Sequence, residues 1–156
     1  MIEIDVPGWG QLRITDVVLD VNGTIAVDGR LVEGVAGRLA ALRTTVAVHL
    51  VTADTTGQQA ALDAELGLRA ERIAAGQEPE QKAALVRALG AASVCMIGNG
   101  ANDVEALQEA ALGIAVLGEE GVAVEAVEAA NVLAPSINAA LDLLLHPLRL
   151  RATLRR

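Results

Sequence analysis

Four positions carry polar chemistry in a chain otherwise rich in Ala, Val and Leu: Asp20, Thr52, Lys82 and the run Gly98-Asn99-Gly100-Ala101-Asn102-Asp103. Three of them follow short apolar stretches: Val17-Val18-Leu19, Leu50-Val51 and Val94-Cys95-Met96-Ile97. Stretches of this kind are what a sheet buries on both faces. Asn22-Gly23 is a strong turn dipeptide, so the first strand must stop there and leave Asp20 at its carboxyl end. In an open parallel sheet those ends converge on one edge, where ligands bind. A carboxylate, a hydroxyl, an ammonium and a second carboxylate gathered there fit phosphoryl transfer. Asp20 can attack phosphorus and form an aspartyl phosphate. Thr52 and Lys82 can neutralise the equatorial oxygens, and Asp103 can help hold Mg²⁺, a hard cation that prefers oxygen ligands. Each residue alone has a structural alternative: a strand-end cap for Asp20, a helix N-cap for Thr52, a solvated first turn for Lys82, a helix N-terminal charge for Asp103. The weight rests on the combination.

The elements that would position these groups alternate along the chain. Residues 2–15 alternate polar and apolar around Pro7-Gly8, which predicts an accessory hairpin at the sheet edge. A second turn at Asp28-Gly29 predicts a small flap hairpin over 24–31, just beyond Asp20. Helical spacing covers 33–43, a strand 45–52, a helix 56–67 stopped by Gly67, and a short strand 72–75. Pro79 starts a helix that runs to Leu89, with Gly90 as its stop. A strand at 93–97, a helix at 102–110, a strand at 113–117, a helix at 122–129, a strand at 131–133 and a helix at 136–145 follow. Strands alternating with helices of this length mean βαβ units. The expected class is α/β, a doubly wound Rossmann-like parallel sheet with helices on both faces, and residues 1–156 read as a single domain.

Composition narrows the partners. With 156 residues a real core can be buried. Trp9 is the only aromatic residue, which leaves few stacking platforms for bases. The net charge of −8 argues against a general nucleic-acid or anionic-membrane binder. Four arginines fall in the last eight residues (Arg149, Arg151, Arg155, Arg156), and 147–156 reads as a frayed, solvated basic tail. Cys95 is alone and reads as a buried thiol. No signal-peptide pattern and no membrane-spanning run is visible, so a cytoplasmic protein is expected. His49 reads as a satisfied core histidine, and Asp54 either reaches the crevice or caps a helix.

Asp20-Val21-Asn22-Gly23-Thr24 resembles the first motif, Asp-x-Asp-Gly-Thr, of the haloacid dehalogenase-like hydrolase superfamily. Thr52 matches the second motif and Lys82 the third. Gly98 to Leu107 is similar to the fourth, Gly-Asp-Gly-x-Asn-Asp-x-x-Ala-Leu. The intervals of 32, 30 and 21 residues between Asp20, Thr52, Lys82 and Asp103 keep the order across most of the chain. Within the superfamily the chain is most similar to small soluble proteins resembling the phosphorylation domain of P-type ATPases. The resemblance implies Mg²⁺-dependent phosphatase chemistry through an aspartyl phosphate on Asp20. It implies phosphate binding by Thr52, Ala53, Lys82 and Gly23, and metal binding by Asp20, the Asn22 main-chain carbonyl, Asn99 and Asp103. Thr24 supports them; Asn102 either caps its helix or positions Asp20.

Two departures matter. Asn22 stands where such hydrolases carry a general acid/base Asp, and an amide cannot protonate a leaving alkoxide, a contribution worth roughly 10²–10⁴-fold. Asn99 replaces a carboxylate that usually ligates the metal, which leaves one negative charge fewer on the cation. Slow turnover on good leaving groups is therefore expected. Neither 25–51 nor 53–81 has room for a folded cap, so the site should be open, taking a phosphorylated small molecule or a phosphoprotein. Such a site can also borrow a lid from a neighbouring subunit, which makes a homo-oligomer plausible. The alternative function is a degenerate domain that binds a phosphorylated ligand or partner without useful turnover. Two rival folds fail: Asp103 replaces the third glycine of a dinucleotide fingerprint, and nothing before Asp20 supplies the acidic pair of a receiver domain.

Overall fold

A computed structural model describes residues 1–54 and 57–156. The chain begins with β1 (Ile2–Val6) and β2 (Gly10–Ile14), then β3 (Asp16–Asp20). The flap strands β4 (Ala26–Val27) and β5 (Arg30–Leu31) follow, then α1 (Val35–Leu42), β6 (Ala47–Thr52), α2 (Gln59–Leu66), β7 (Glu71–Arg72) and α3 (Glu78–Leu89). The second half runs β8 (Val94–Gly98), α4 (Val104–Glu109), β9 (Leu112–Val116), α5 (Val124–Ala129), β10 (Val132–Ala134), α6 (Ile137–Leu145) and α7 (Pro147–Leu154).

The main sheet has the order β10-β9-β8-β3-β6-β7, and every pairing in it is parallel. From β3 the chain winds one way through β6 and β7, then returns to the other side of β3 for β8, β9 and β10. The reversal at β3 parts the crossover connections on its two sides and opens a crevice beyond its carboxyl end. That end is Asp20. The period of two along β3 sorts its side chains between the layers. Val17 and Leu19 pack with α1, α2, α6 and α7, whereas Val18 packs with α3, α4 and α5. Asp20 shares a face with Val18, so it faces the layer that carries α3 and Lys82.

Local signals explain most boundaries. In α3 a proline sits in the first turn beside Glu78 and Glu80, Arg87 lies in the last turn, and Gly90 closes the helix at φ 91. The Ser136 hydroxyl accepts from Ala139 N at 3.1 Å and caps α6. The first residue of the helix expected over 56–67 lies outside the described residues. Cys95 is buried as expected, and burial pushes its thiol far up. No helix among the described residues is long and apolar enough to cross a membrane.

Three expectations are corrected. The N-terminal hairpin is not at the sheet edge: β1 and β2 form a separate two-stranded sheet that packs on α7 and on the turn before β8. Residues 147–156 are not a frayed tail. Pro147 restarts a helix after His146, and Leu150 and Leu154, four apart on one stripe, are buried in the main core. Arg156 N donates to Pro7 O at 2.9 Å, and its guanidinium lies 5.1 Å from the centre of the Trp9 ring. Arg149 and Arg151 lie on the exposed face of this docked helix, and Arg155 and Arg156 follow its end. The short strand expected over 72–75 forms one residue earlier, at Glu71–Arg72, where β6 offers partners.

Candidate active site

Asp20 leaves β3 on its last sheet-bonded residue and is 7% exposed. Its Oδ1 accepts from Lys82 Nζ at 2.8 Å, and the same ammonium donates to Asp103 Oδ1 at 2.7 Å. Lys82 is 1% exposed, so the solvated first turn is excluded for it. A buried ammonium is tolerated only with partners in good geometry, and here it has two. The triad keeps a net negative charge. Burial first, then the Asp103 charge, raise the Asp20 carboxyl to about 7 against the opposing pull of Lys82 and Thr24. For Lys82, burial acts downward, but both carboxylates outweigh it and hold the ammonium above its ordinary range.

Asp103 is 0% exposed, with both oxygens engaged. Oδ2 accepts from Asn99 N at 3.0 Å and Gly100 N at 2.9 Å while Oδ1 faces Lys82. It clamps the loop after β8 and fixes Lys82. Gly98 permits this, because a Cβ there would run into the Asp103 carboxylate. Asn102 is exposed and makes no hydrogen bond to Asp20, and Asp103 stands at the cap position of α4, so neither role expected for Asn102 holds.

The turn after β3 brings the rest together. Thr24 Oγ1 lies 3.2 Å from Asp20 Oδ2 and 3.2 Å from Asn99 Oδ1. One hydroxyl proton cannot serve two acceptors fully, and both distances are long for O–H···O. Two acceptor oxygens thus converge where positive charge is short. Gly23 adopts φ +78, and a Cβ there would stand 3.1 Å from Asn99 Oδ1 and 2.7 Å from Asn99 Nδ2, so this cradle stays open only for glycine. Asp20 Oδ2 and Asn99 Oδ1, both in reach of Thr24 Oγ1, are hard oxygens of the kind Mg²⁺ prefers, and with the Asn22 carbonyl they are the groups that could hold it. Among the described residues no three His, Cys, Asp or Glu side chains stand together as a metal cage, so the set is poor in charge.

On the other side of Asp20, Asn22 Nδ2 donates to Thr52 Oγ1 at 3.4 Å. Thr52 ends β6 and is buried, and Ala53 follows it at the same rim. Asp54 caps instead: its carboxylate accepts from Gly57 N at 3.1 Å and Gln59 N at 3.2 Å. His49 is partly exposed and pairs with Asp16 at 2.8 Å, far from the carboxyl edge. A residue absent from the sequence-based candidates joins the site. Glu120, exposed on the turn after β9, would stand 2.5 Å from the same Cβ at Gly23. The signal available for it was its place shortly after a strand end, in a Gly-Glu-Glu-Gly turn.

Comparison with known proteins agrees with this geometry. Residues 2–111 match the model of the haloacid dehalogenase-like hydrolases. The chain is 42% identical over 112 residues to a probable cation-transporting ATPase G of Mycobacterium bovis, covering 70% of this chain but 14% of the ATPase. A zinc-transporting PIB-type ATPase shares the fold with a TM-score of 0.63 and 31% identity, over 80% of this chain and 20% of that one. The 3-deoxy-D-manno-octulosonate 8-phosphate phosphatase of Moraxella catarrhalis, solved with magnesium, phosphate and KDO, superposes with a TM-score of 0.63 and 20% identity over 85% and 86% of the two chains. With the motif residues meeting at one rim and the family model matching most of its length, the chain belongs to the haloacid dehalogenase-like hydrolases.

Proposed function

We propose that this chain is a Mg²⁺-dependent phosphohydrolase acting through an aspartyl phosphate on Asp20. The observation that carries the reading is the Lys82 ammonium, buried between Asp20 and Asp103 at the switch point of the sheet. It holds the carboxylate in place and offers positive charge to an arriving phosphoryl group. Thr52, the Ala53 main chain and Gly23 line the remaining rim and bind phosphate oxygens. Asp20, Asn99 and the Asn22 carbonyl would hold a divalent cation, which would neutralise charge on the phosphoryl oxygens. The Asp20 carboxylate forms the O–P bond while the leaving group departs with the electrons of the bond it breaks. Water then cleaves the acyl phosphate and regenerates the carboxylate. Asn22 can give the leaving group no proton, so the step favours leaving groups stable as anions, such as acyl or aryl phosphates. Among the described residues, the segments from β3 to α3 hold the flap hairpin, α1, β6, α2 and β7 and no folded cap, which supports a site open to a phosphorylated small molecule or a phosphoprotein.

Incubation with acetyl phosphate or p-nitrophenyl phosphate and Mg²⁺ tests the reading. The expected result is Asp20-dependent turnover or a trapped phosphoenzyme that Asp20→Asn lacks. Saturable phosphate binding without either overturns it and favours a degenerate domain that binds a phosphorylated ligand, a reading Asn22 already invites.

A further inference from the structure

We propose that Glu120 supplies the carboxylate that Asn99 lacks, acting on the cation through a metal-bound water. The inference rests on the cation reading above.

The turn that carries Glu120 is stitched to the site by its backbone. Gly121 N donates to Gly118 O at 3.0 Å, and Gly121 O accepts from Asn99 Nδ2 at 3.4 Å. Ala123 N donates to Asn99 O at 2.8 Å, and a Cβ at Gly118 would touch Gly23 O at 3.2 Å. The Glu120 side chain therefore projects from a fixed base. Its Oε2 and both Asn99 side-chain atoms crowd one point beside Gly23, at 2.5, 2.7 and 3.1 Å from a Cβ built there. Glu120 Oε2 and the Asn99 amide therefore both border the space that Gly23 leaves open. Asn99 Oδ1 continues through Thr24 Oγ1 to Asp20 Oδ2, each step 3.2 Å. Glu120 thus borders, on the Gly23 side, the cradle that Asn99 shares with the nucleophile.

The charge balance gives this placement a purpose. Asp103 accepts from three donors, two of them backbone N–H groups of its own loop, which leaves Asp20 as the carboxylate that faces Thr24 and Asn99. Mg²⁺ dehydrates reluctantly and keeps several waters, so a carboxylate one water away still lowers its energy. Such outer partners typically change metal affinity by about 10–100-fold. An exposed one belongs at the lower end. Glu119, the adjacent residue, is also exposed but lines the neighbouring cleft between the flap and α6. It carries the same charge, but Glu120 and not Glu119 supplies the carboxylate oxygen nearest a Cβ at Gly23.

Mn²⁺ binding to the intact protein, read by the loss of the free-ion EPR signal, tests the proposal without reference to activity. Glu120→Gln is expected to weaken binding about tenfold, Glu119→Gln less than twofold, and Asp20→Asn more than either. Circular dichroism melts establish that each variant is folded; Glu120 is exposed, so its amide variant folds. Equal affinities for the Glu119 and Glu120 variants, with Asp20→Asn still weakened, overturn the role of Glu120 alone. Unchanged binding in Asp20→Asn overturns the cation reading itself, and the proposal with it.

Discussion

Replacing Lys82 by Met leaves two buried carboxylates facing each other without their shared cation. In the folded protein Nζ lies 2.8 Å from Asp20 and 2.7 Å from Asp103, at 1% exposure. Removing one partner of a buried ion pair typically costs about 3–5 kcal/mol. Both carboxylates keep other donors, Thr24 for Asp20 and two backbone N–H groups for Asp103, which places the cost near the lower figure. In a domain of this size each kcal/mol moves the melting temperature by roughly 2–4 °C, so a fall of roughly 10 °C is expected. The loss must also depend on pH. Without the ammonium the folded protein binds protons more tightly than the unfolded chain, so the variant weakens further as pH rises from 5 to 8. Adding Asp103→Asn removes the repulsion and restores part of the stability. Urea unfolding followed by circular dichroism at the two pH values measures all three. A Lys82→Met loss below about 1 kcal/mol at pH 8, or a double variant as unstable as the single one, refutes the buried triad as an energetic unit.

Asp20 makes a second titration prediction. Its folded value of about 7 lies above the ordinary 3.8, so its contribution to stability declines as pH rises through that window, by up to about 4 kcal/mol, and is level above it. Unfolding of the wild type against Asp20→Asn across pH 4–8 shows the decline only in the wild type. Asn22→Asp restores a group that can protonate the leaving alkoxide and raises turnover of p-nitrophenyl phosphate or an alkyl phosphate, the latter by about 10²-fold or more; steady-state kinetics that show no gain point to a different missing step. Leu150→Ala, in the C-terminal helix, costs about 2–5 kcal/mol in urea unfolding because the side chain is fully buried; a loss within about 0.5 kcal/mol would mean that this helix is peripheral.

The elements were legible where local chemistry is strong. Pro79 and Gly90 bracket α3 because a proline is preorganised for a first turn and glycine alone reaches the closing conformation without strain. The apolar run before Asp20 identified the central strand because a short β-branched run stopped by the Asn22-Gly23 turn is what a strand buried on both faces presents. The C-terminal segment misled because four arginines dominate its charge, while Leu150 and Leu154 acquire meaning only once the helix docks on the N-terminal hairpin and α6.

The order and residue types of the motifs, the alternation of strands with helices, and the loss of an acid at position 22 are all properties of the chain itself. Local propensity and spacing carry them. Which groups actually touch was decided by the tertiary structure, because burial and neighbouring charge arise only once distant segments pack. Folding turned Lys82 from an ordinary first-turn residue into a buried bridge, committed both oxygens of Asp103, and brought Glu120, 100 residues from Asp20 along the chain, to the rim beside Asn99.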